Sequence, residues 1–131
     1  MASRTSIVVN DRESTPVAHT FVPVGSDDNL AIFAEKGVVP SADRRLTIGW
    51  KLNGPRKKAR IVLSDPKVVT ETINGVDDTK VPHRNFADVT FTFDEKSTLQ
   101  ERKNLVGMFA NMLAASVTVV DSTVTGLEEI W

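Results

Sequence analysis

The chain has 131 residues, of which 40% are hydrophobic and 25% charged, and this composition is typical of one globular domain. Its 16 basic residues nearly balance 17 acidic ones, so a net charge of −1 does not by itself indicate a nucleic-acid partner. The absence of cysteine excludes disulfide scaffolds, thiolate zinc sites and cysteine nucleophiles. The chain begins without a signal-peptide pattern, and no stretch approaches the ~20 apolar residues that span a bilayer. We therefore expect a soluble protein that is made in the cytoplasm.

The charges are unevenly distributed along the chain. Between Arg44 and Arg60 there are seven basic residues and no acid. This block predicts either a localised anion-binding surface or a solvated hairpin whose lysines protect a sheet edge. Both interpretations remain open on charge alone.

The first elements are short and β-prone. Residues 6–10 and 19–24 form two such runs, and the polar segment 11–16 between them ends in a proline, so we predict an N-terminal hairpin. A third apolar run occupies residues 30–33.

Two clearly alternating strands follow at residues 45–52 and 58–64, joined by the turn sequence Asn53-Gly54-Pro55. One predicted face carries the apolar residues Leu46, Ile48, Trp50, Leu52, Ala59, Ile61 and Leu63. Residues 68–73 predict a further strand that ends at Asn74-Gly75, and after a charged loop residues 84–93 alternate again.

A sheet with one apolar face needs a cover, and the C-terminal segment can supply it. Ser97 and Gln100 fit a capping box at the start of a helix that runs to about residue 115. Residues 117–127 predict a second helix with Ser116 as N-cap, although their β-branched residues are also compatible with a strand. The helical spacing places apolar residues on more than one side, which favours packing against a second chain over a compact monomer. The residues predicted at this interface are Val106, Phe109, Met112 and Leu113.

The other predicted face of the sheet is polar and basic. Lys51, Lys58, Arg60 and Arg84 can bind phosphates, and Thr47 and Thr90 can donate hydrogen bonds to sugars or bases. The single aromatic ring on this face, Phe86, offers a stacking platform, and Asp88 can accept a hydrogen bond from a base amine. The pattern predicts an RNA-binding face.

An enzyme is not expected. His19 and His83 are the only histidines, and neither stands in a metal-ligand spacing or near a nucleophile motif. Both are interpreted as structural or surface residues.

Four collinear segments resemble the coat proteins of the small single-stranded RNA bacteriophages, the leviviruses. They are residues 11–23, 37–47, 66–76 and 86–102, and together they extend over nearly the whole chain.

The resemblance implies an α+β fold with an N-terminal β-hairpin, a five-stranded antiparallel sheet and two C-terminal helices that interlock with a second subunit. In this single domain of residues 1–131, the hairpin would occupy residues 1–24, the sheet residues 30–93 and the helical dimerisation segment residues 97–131. The implied partners are a second copy, in an obligate homodimer and then a quasi-equivalent icosahedral (T=3) shell, and the viral genomic RNA. The dimer would also bind an operator hairpin and repress replicase translation. The protein would be part of the virion and assemble in the bacterial host cytoplasm, with no membrane partner.

The resemblance also implies which residues contact RNA. They are Thr47, Gly49, Lys51, Lys58, Arg60, Val62, Phe86, Asp88 and Thr90. Relatives usually have a hydroxyl at the position of Gly49, often a lysine at that of Val62, and a tyrosine at that of Phe86, so the RNA target is expected to differ.

Residues 71–83 match the family's inter-strand loop at the symmetry axes, with Asn74, Gly75, Asp77, Asp78 and Pro82 as its marked positions. Asp77 and Asp78 are either a solvated loop tip or ligands of a divalent cation between subunits. No other cofactor is expected. The alternative function is that of a dimeric cellular RNA-binding regulator that does not assemble.

Overall fold

The computed structural model describes residues 4–27 and 29–131, and residues 1–3 of the predicted hairpin segment lie outside it. Six strands form one sheet in chain order, with β5 next to β6 and the pairs from β1 to β5 antiparallel. The strands and helices are β1 Ile7–Asn10, β2 Ala18–Asp27, β3 Leu30–Glu35, β4 Arg44–Asn53, β5 Arg56–Ile73, β6 Val76–Asp94, α1 Leu99–Met112 and α2 Thr118–Val124. A short 3₁₀ turn, Pro40–Ala42, precedes β4. The predicted fold class is confirmed.

The hairpin and the five-stranded sheet share a strand. The first half of β2 pairs with β1, beginning with Phe21 opposite Ile7, and its second half pairs with β3, with Val22 opposite Ala34. A register shift between Pro23 and Gly25 divides the β2–β3 ladder into two parts. One long strand therefore belongs to both the hairpin and the sheet.

The prediction of separate strands at 58–64 and 68–73 was wrong, because β5 continues without a break to Ile73. Likewise, residues 71–83 are not an irregular loop, because β6 begins at Val76. Only the predicted turn Asn74-Gly75 interrupts the two long strands, and both residues take positive φ angles of 52° and 78°. Two consecutive positive φ angles are typical of the type I′ turn, whose twist matches the flanking strands.

Pro66 explains why the sequence suggested two strands where the structure has one. Proline and its polar neighbours signal a strand end, since proline cannot donate to a ladder. The β4–β5 register ends with Arg45 opposite Ser64, so Pro66 lies beyond the end of the shorter strand. Its missing N–H therefore removes no hydrogen bond to β4, and the strand continues.

The buried core is small for a chain of this length. Among the described residues, the buried hydrophobic side chains are Phe21, Phe33, Ala34 and Ala42. They lie in β2, β3 and the 3₁₀ turn, so the N-terminal half of the sheet contains most of the packing. A domain of this size normally buries many more apolar side chains.

The chain divides into two units, one ending at Thr92 and one comprising Phe93–Trp131. In the second unit, the capping box lies one residue later than predicted. Thr98 Oγ1 accepts from the Glu101 amide at 3.2 Å, and Glu101 accepts from the Thr98 amide at 3.0 Å. Ser97 and Gln100 do not form it.

Helix α1 ends at Met112, and the segment after it is a helix rather than a strand. Helix α2 begins after Val117, without a side-chain cap, so the prediction of Ser116 as N-cap was wrong. No helix in the described part of the chain is long and apolar enough to cross a membrane.

Candidate nucleic-acid interface

The register of β4 and β5 places the predicted RNA-contacting residues on one face, which we call the polar face. Directly opposed residues of an antiparallel pair share a face. The opposed pairs on this face are Thr47 with Val62, Gly49 with Arg60, and Lys51 with Lys58. The alternate pairs are apolar and form the opposite, apolar face: Leu46 with Leu63, Ile48 with Ile61, and Trp50 with Ala59. The predicted alternation is confirmed by this register.

Strand β6 extends the polar face. Arg60 donates from Nε to Asp88 Oδ1 at 2.9 Å and from Nη2 to Asp88 Oδ2 at 2.5 Å, so these two side chains lie on the same side of the sheet. Phe86 and Thr90 lie two positions before and after Asp88 in the same strand, so their side chains point to the same side as that of Asp88. All nine predicted residues are thus brought together on three consecutive strands.

Part of the polar face is concave. A pocket of about 710 Å³ is lined by Gly49, Lys51, Lys58, Arg60, Asp88 and Thr90 from the predicted set. Asn29, Leu30, Trp50 and Asn53 complete its wall. These four residues were not predicted, and the signal that could have identified Leu30 is the β3–β4 register, which places it opposite Gly49.

The charges on this face differ in availability. Hydrogen bonds from Arg60 lower the pKa of the Asp88 carboxyl, and those bonds in turn raise the pKa of the Arg60 guanidinium. This pair is therefore fully ionised and internally neutralised near pH 7. Within residues 4–27 and 29–131, neither Lys51 nor Lys58 has an ion-pair partner, so each of these lysines carries an uncompensated positive charge.

Arg84, which was predicted to bind phosphates, uses its guanidinium donors within the protein instead. Its Nη1 donates to Ser64 Oγ at 2.6 Å and to the Asp43 carbonyl at 3.2 Å, and its Nη2 donates to the Ser41 carbonyl. The guanidinium is half-buried and ties the 3₁₀ segment to the sheet. Two of these three contacts join residues more than 40 positions apart in sequence, which local patterning cannot indicate.

Gly49 is a steric requirement of this site. A Cβ atom at this position would lie 2.6 Å from the carbonyl oxygen of Asn29 and would also overlap Cδ2 of Leu30. The Leu30 side chain occupies the space into which a larger residue 49 would project. Leu30 therefore forms an apolar wall beside Gly49.

We expect Gly49→Ser to destabilise the protein by about 1–3 kcal/mol, because the clash involves a backbone atom that cannot rotate away. Urea unfolding measures the change. Gly25→Ser is the matched control, since Gly25 also lies in a strand and a Cβ there meets nothing within 4 Å. Equal stability of the two variants would contradict the steric argument.

The apolar face and the helices expose large hydrophobic side chains. On the sheet, Trp50 is 54% and Leu52 65% exposed. In the helical unit, neither α1 nor α2 contains a buried residue. Of the predicted interface residues, Val106, Met112 and Leu113 are exposed and Phe109 is half-buried. The chain as a single copy leaves apolar surface that a soluble protein normally covers.

The hairpin of β5 and β6 has an ion-paired tip. Asp77 accepts from Thr72 Oγ1 at 2.8 Å, and Lys80 Nζ lies 3.5 Å from Asp78 and 3.8 Å from Glu71. The described residues contain no cluster of three or more His, Cys, Asp or Glu side chains that could hold a metal ion. The inter-subunit cation at Asp77 and Asp78 stays a prediction.

Comparison with known proteins gives one consistent result. The model of the levivirus coat protein family matches residues 2–131. The capsid protein of Pseudomonas phage PRR1 is 36% identical over 127 residues, which cover 96% of this chain and 97% of that protein. The capsid protein of Escherichia virus Qbeta is 28% identical over 99 residues, or 73% of each chain. This chain therefore belongs to the levivirus coat protein family, a family of structural proteins and not of enzymes.

Solved structures agree on the fold. A virus-like particle of bacteriophage ESE058 superposes with a TM-score of 0.87 at 22% identity, covering 99% of this chain and 100% of that one. The capsid protein of bacteriophage GA gives a TM-score of 0.79 at 21% identity, covering 95% and 96% of the two chains. An unassembled phage coat protein dimer, described as an RNA-binding dimer, gives 0.73 at 17% identity, covering 99% of both chains.

Proposed function

We propose that this chain is the shell-forming coat protein of a single-stranded RNA phage, which dimerises and assembles into an icosahedral particle around the genome. The same dimer binds an RNA operator hairpin and thereby represses translation of the replicase. Assembly takes place in the bacterial host cytoplasm. The observation that carries the proposal is the one-sided sheet, with cations and a ring on one face and uncovered apolar side chains on the other.

The polar face has the chemistry to bind an RNA hairpin. Lys51 and Lys58, which have no ion-pair partner in the described part of the chain, attract phosphates, and the pocket of about 710 Å³ beside them is large enough to hold a nucleobase. Phe86 is 69% exposed, so its ring is available for stacking on an unpaired base. Single-stranded loops and bulges are the RNA elements whose bases can reach such a surface.

The Arg60–Asp88 pair supports selectivity in this binding. Two hydrogen bonds fix the guanidinium in one orientation, and the carboxylate adds negative charge to the face. RNA that offers only phosphates must compete with Asp88 for Arg60. RNA that also presents a base amine to Asp88 gains a hydrogen bond, so the pair favours particular hairpins over nonspecific polyanions.

The uncovered apolar surface supports dimerisation. The helical unit exposes Met108 to 61% and contains no buried residue, and the apolar face of the sheet exposes Trp50 and Leu52. Both sets are exposed apolar surface that a second copy can bury. Obligate homodimers use such large hydrophobic interfaces.

The β5–β6 hairpin supports contacts between dimers in the shell. Its strands run 18 and 19 residues, and the hydrophobic side chains of Ile73 and Val76 flank the exposed turn. A long hairpin that exposes both apolar and charged side chains near its turn can reach a neighbouring dimer. A cation held by Asp77 and Asp78 between subunits belongs to this part of the proposal.

Electron microscopy of the purified protein, combined with sequencing of the RNA that copurifies, tests the proposal. We expect closed icosahedral particles whose RNA resists ribonuclease. A monomer at high concentration contradicts the capsid function. A stable dimer that binds RNA and forms no particles would instead identify a non-assembling RNA-binding regulator.

Removal of one lysine tests the placement of the RNA. We expect Lys58→Ala to weaken RNA binding and to reduce the slope of log K against log salt by roughly 0.7–0.9, as for one lost phosphate contact. Arg60→Ala should change the slope less, because Asp88 already neutralises Arg60. Lys103→Ala, which removes an equal charge from α1, is the control. Unaltered slopes for both Lys58→Ala and Arg60→Ala place the RNA elsewhere.

A further inference from the structure

Five charged side chains form a continuous row of alternating sign on the apolar face, beside the N-terminal hairpin. They come from the loop after β1 and from β2, β3, β4 and β5 in turn. In order they are Asp11, His19, Glu35, Arg44 and Asp65. Neighbouring members of the row are joined by contacts of 2.6–2.9 Å. The row does not touch the polar face, and nothing in the proposed function uses it.

His19 is the only member of the row that changes charge near neutral pH. Its Nε2 lies 2.9 Å from Asp11 Oδ2, and its Nδ1 lies 2.9 Å from Glu35 Oε1. A carboxylate can only accept, so both contacts are hydrogen bonds only when both ring nitrogens carry a proton. A neutral ring keeps one of them and turns a lone pair toward a carboxylate oxygen at the other.

The two carboxylates have further donors that hold them in place. Asp11 accepts from the amides of Val17 at 2.9 Å and Glu13 at 3.2 Å. The Val17 amide, followed by His19, lowers the pKa of Asp11. Burial opposes ionisation of Glu35, but the bonds from His19 and Arg44 leave its pKa lowered. Both groups stay ionised while His19 titrates.

We propose that protonated His19 is a pH-sensitive latch that ties the N-terminal hairpin to the sheet. When the His19 ring carries both protons, it bridges Asp11, in the hairpin loop, and Glu35, in β3. Loss of one proton breaks one bridge and loosens the hairpin. The other charged groups around the latch are Arg44 and Asp65, which complete the row, and Glu13. These three side chains and His19 line one pocket of about 280 Å³.

The direction of the pH effect follows from the bonds. Hydrogen bonds to Asp11, and then to Glu35, raise the pKa of His19 above its usual 6.5, while burial opposes them. The stabilisation is therefore complete below about pH 6.5 and is lost as the pH rises through the raised pKa of the folded state. The carboxylate contribution has the opposite direction and is lost only in acid, as the pH falls through the lowered pKa values of Asp11 and Glu35.

Hydrogen–deuterium exchange of the intact protein at pH 5.5 and pH 8.5, corrected for the intrinsic exchange rate, tests the latch. We expect the protection of residues 7–20 to fall at the higher pH, by roughly tenfold for each pH unit by which the folded state raises the pKa of the ring. In His19→Gln the protection should be low at both pH values. His83→Gln, at the other and exposed histidine, should behave as the unmodified protein.

Hairpin protection that does not change with pH in the unmodified protein overturns the latch, as does an unchanged pH dependence in His19→Gln. An NMR titration of the ring C–H signals gives a measurement that needs no variant. We expect the His19 signal to titrate with a midpoint above 6.5. A midpoint at or below 6.5 overturns the proposal even if His19→Gln does not fold.

Discussion

Val106→Asp is expected to abolish the soluble dimer. Val106 lies on α1, is 40% exposed in the single chain, and belongs to the apolar set that we assign to the interface. In the dimer an aspartate at this position would be buried without a partner, which costs several kcal/mol for an ionised group. The substitution also forfeits the burial of the exposed part of the valine side chain, a fraction of the about 1.5–3 kcal/mol that full burial of such a side chain contributes. Because a symmetric dimer carries every substitution twice, both costs are doubled.

The dimer content is measured by size-exclusion chromatography with light scattering, together with the fraction of insoluble protein. Asn104→Asp is the matched control, because it introduces the same charge on the same helix at an exposed position. The new carboxylate can still accept the hydrogen bond that Gln100 donates at 2.9 Å. Phe109→Asp should act like Val106→Asp. If either interface variant forms normal particles, the assignment of this helix surface to the dimer is wrong.

The second large effect concerns the ring on the polar face. We expect Phe86→Ala to weaken binding of a hairpin with an unpaired base at the stacking position by ~1–3 kcal/mol, or roughly 5- to 150-fold in Kd. The ring is mostly exposed in the unbound protein, so its removal should leave the folding free energy nearly unchanged. The loss would thus come from the contact with the base.

A plain duplex of the same length separates stacking from general electrostatics. The duplex offers phosphates but no unpaired base, so Phe86→Ala should hardly affect its affinity. Phe86→Tyr is the conservative control, since it keeps the ring and should bind the hairpin at least as well. Equal losses for hairpin and duplex would show that the ring does not stack.

Much of the polar face was predictable, because the pleat of a strand is a local property. In residues 45–52 and 58–64 the side chains alternate between apolar and polar, and the turn at Gly54-Pro55 fixes their register. These two facts determine that Lys51 and Lys58 share a face with Arg60. The same reasoning correctly assigned Trp50 and Leu52 to the alternate set of positions, although Trp50 also borders the pocket.

The uses of the charged residues were not predictable. Arg60 pairs with Asp88 across 28 positions of sequence, and Arg84 turns toward the carbonyls of the 3₁₀ segment. From the sequence, both arginines are expected to be equally free to bind RNA phosphates. An arginine binds whichever acceptor its neighbouring strands provide, and only the folded sheet identifies that acceptor.

The predictions of the strand length of β5 and of the helix N-cap were wrong for a related reason. Ser97 and Thr98 are both good N-caps, and Gln100 and Glu101 are both suitable partners, so the sequence fits two frames one residue apart. The break expected between residues 64 and 68 did not occur, because β4 ends before the missing N–H of Pro66 would be needed.

The sequence alone determined the one-sided sheet, the turns at Gly54 and Asn74-Gly75 and the helical nature of α1, since these depend on neighbours in the chain. The tertiary structure decided the Arg60–Asp88 pair, the packing of Leu30 over Gly49 and the charged row around His19. Those features join residues that the chain separates widely. Their energies depend on distances of a few ångströms, which are set only when the strands pair.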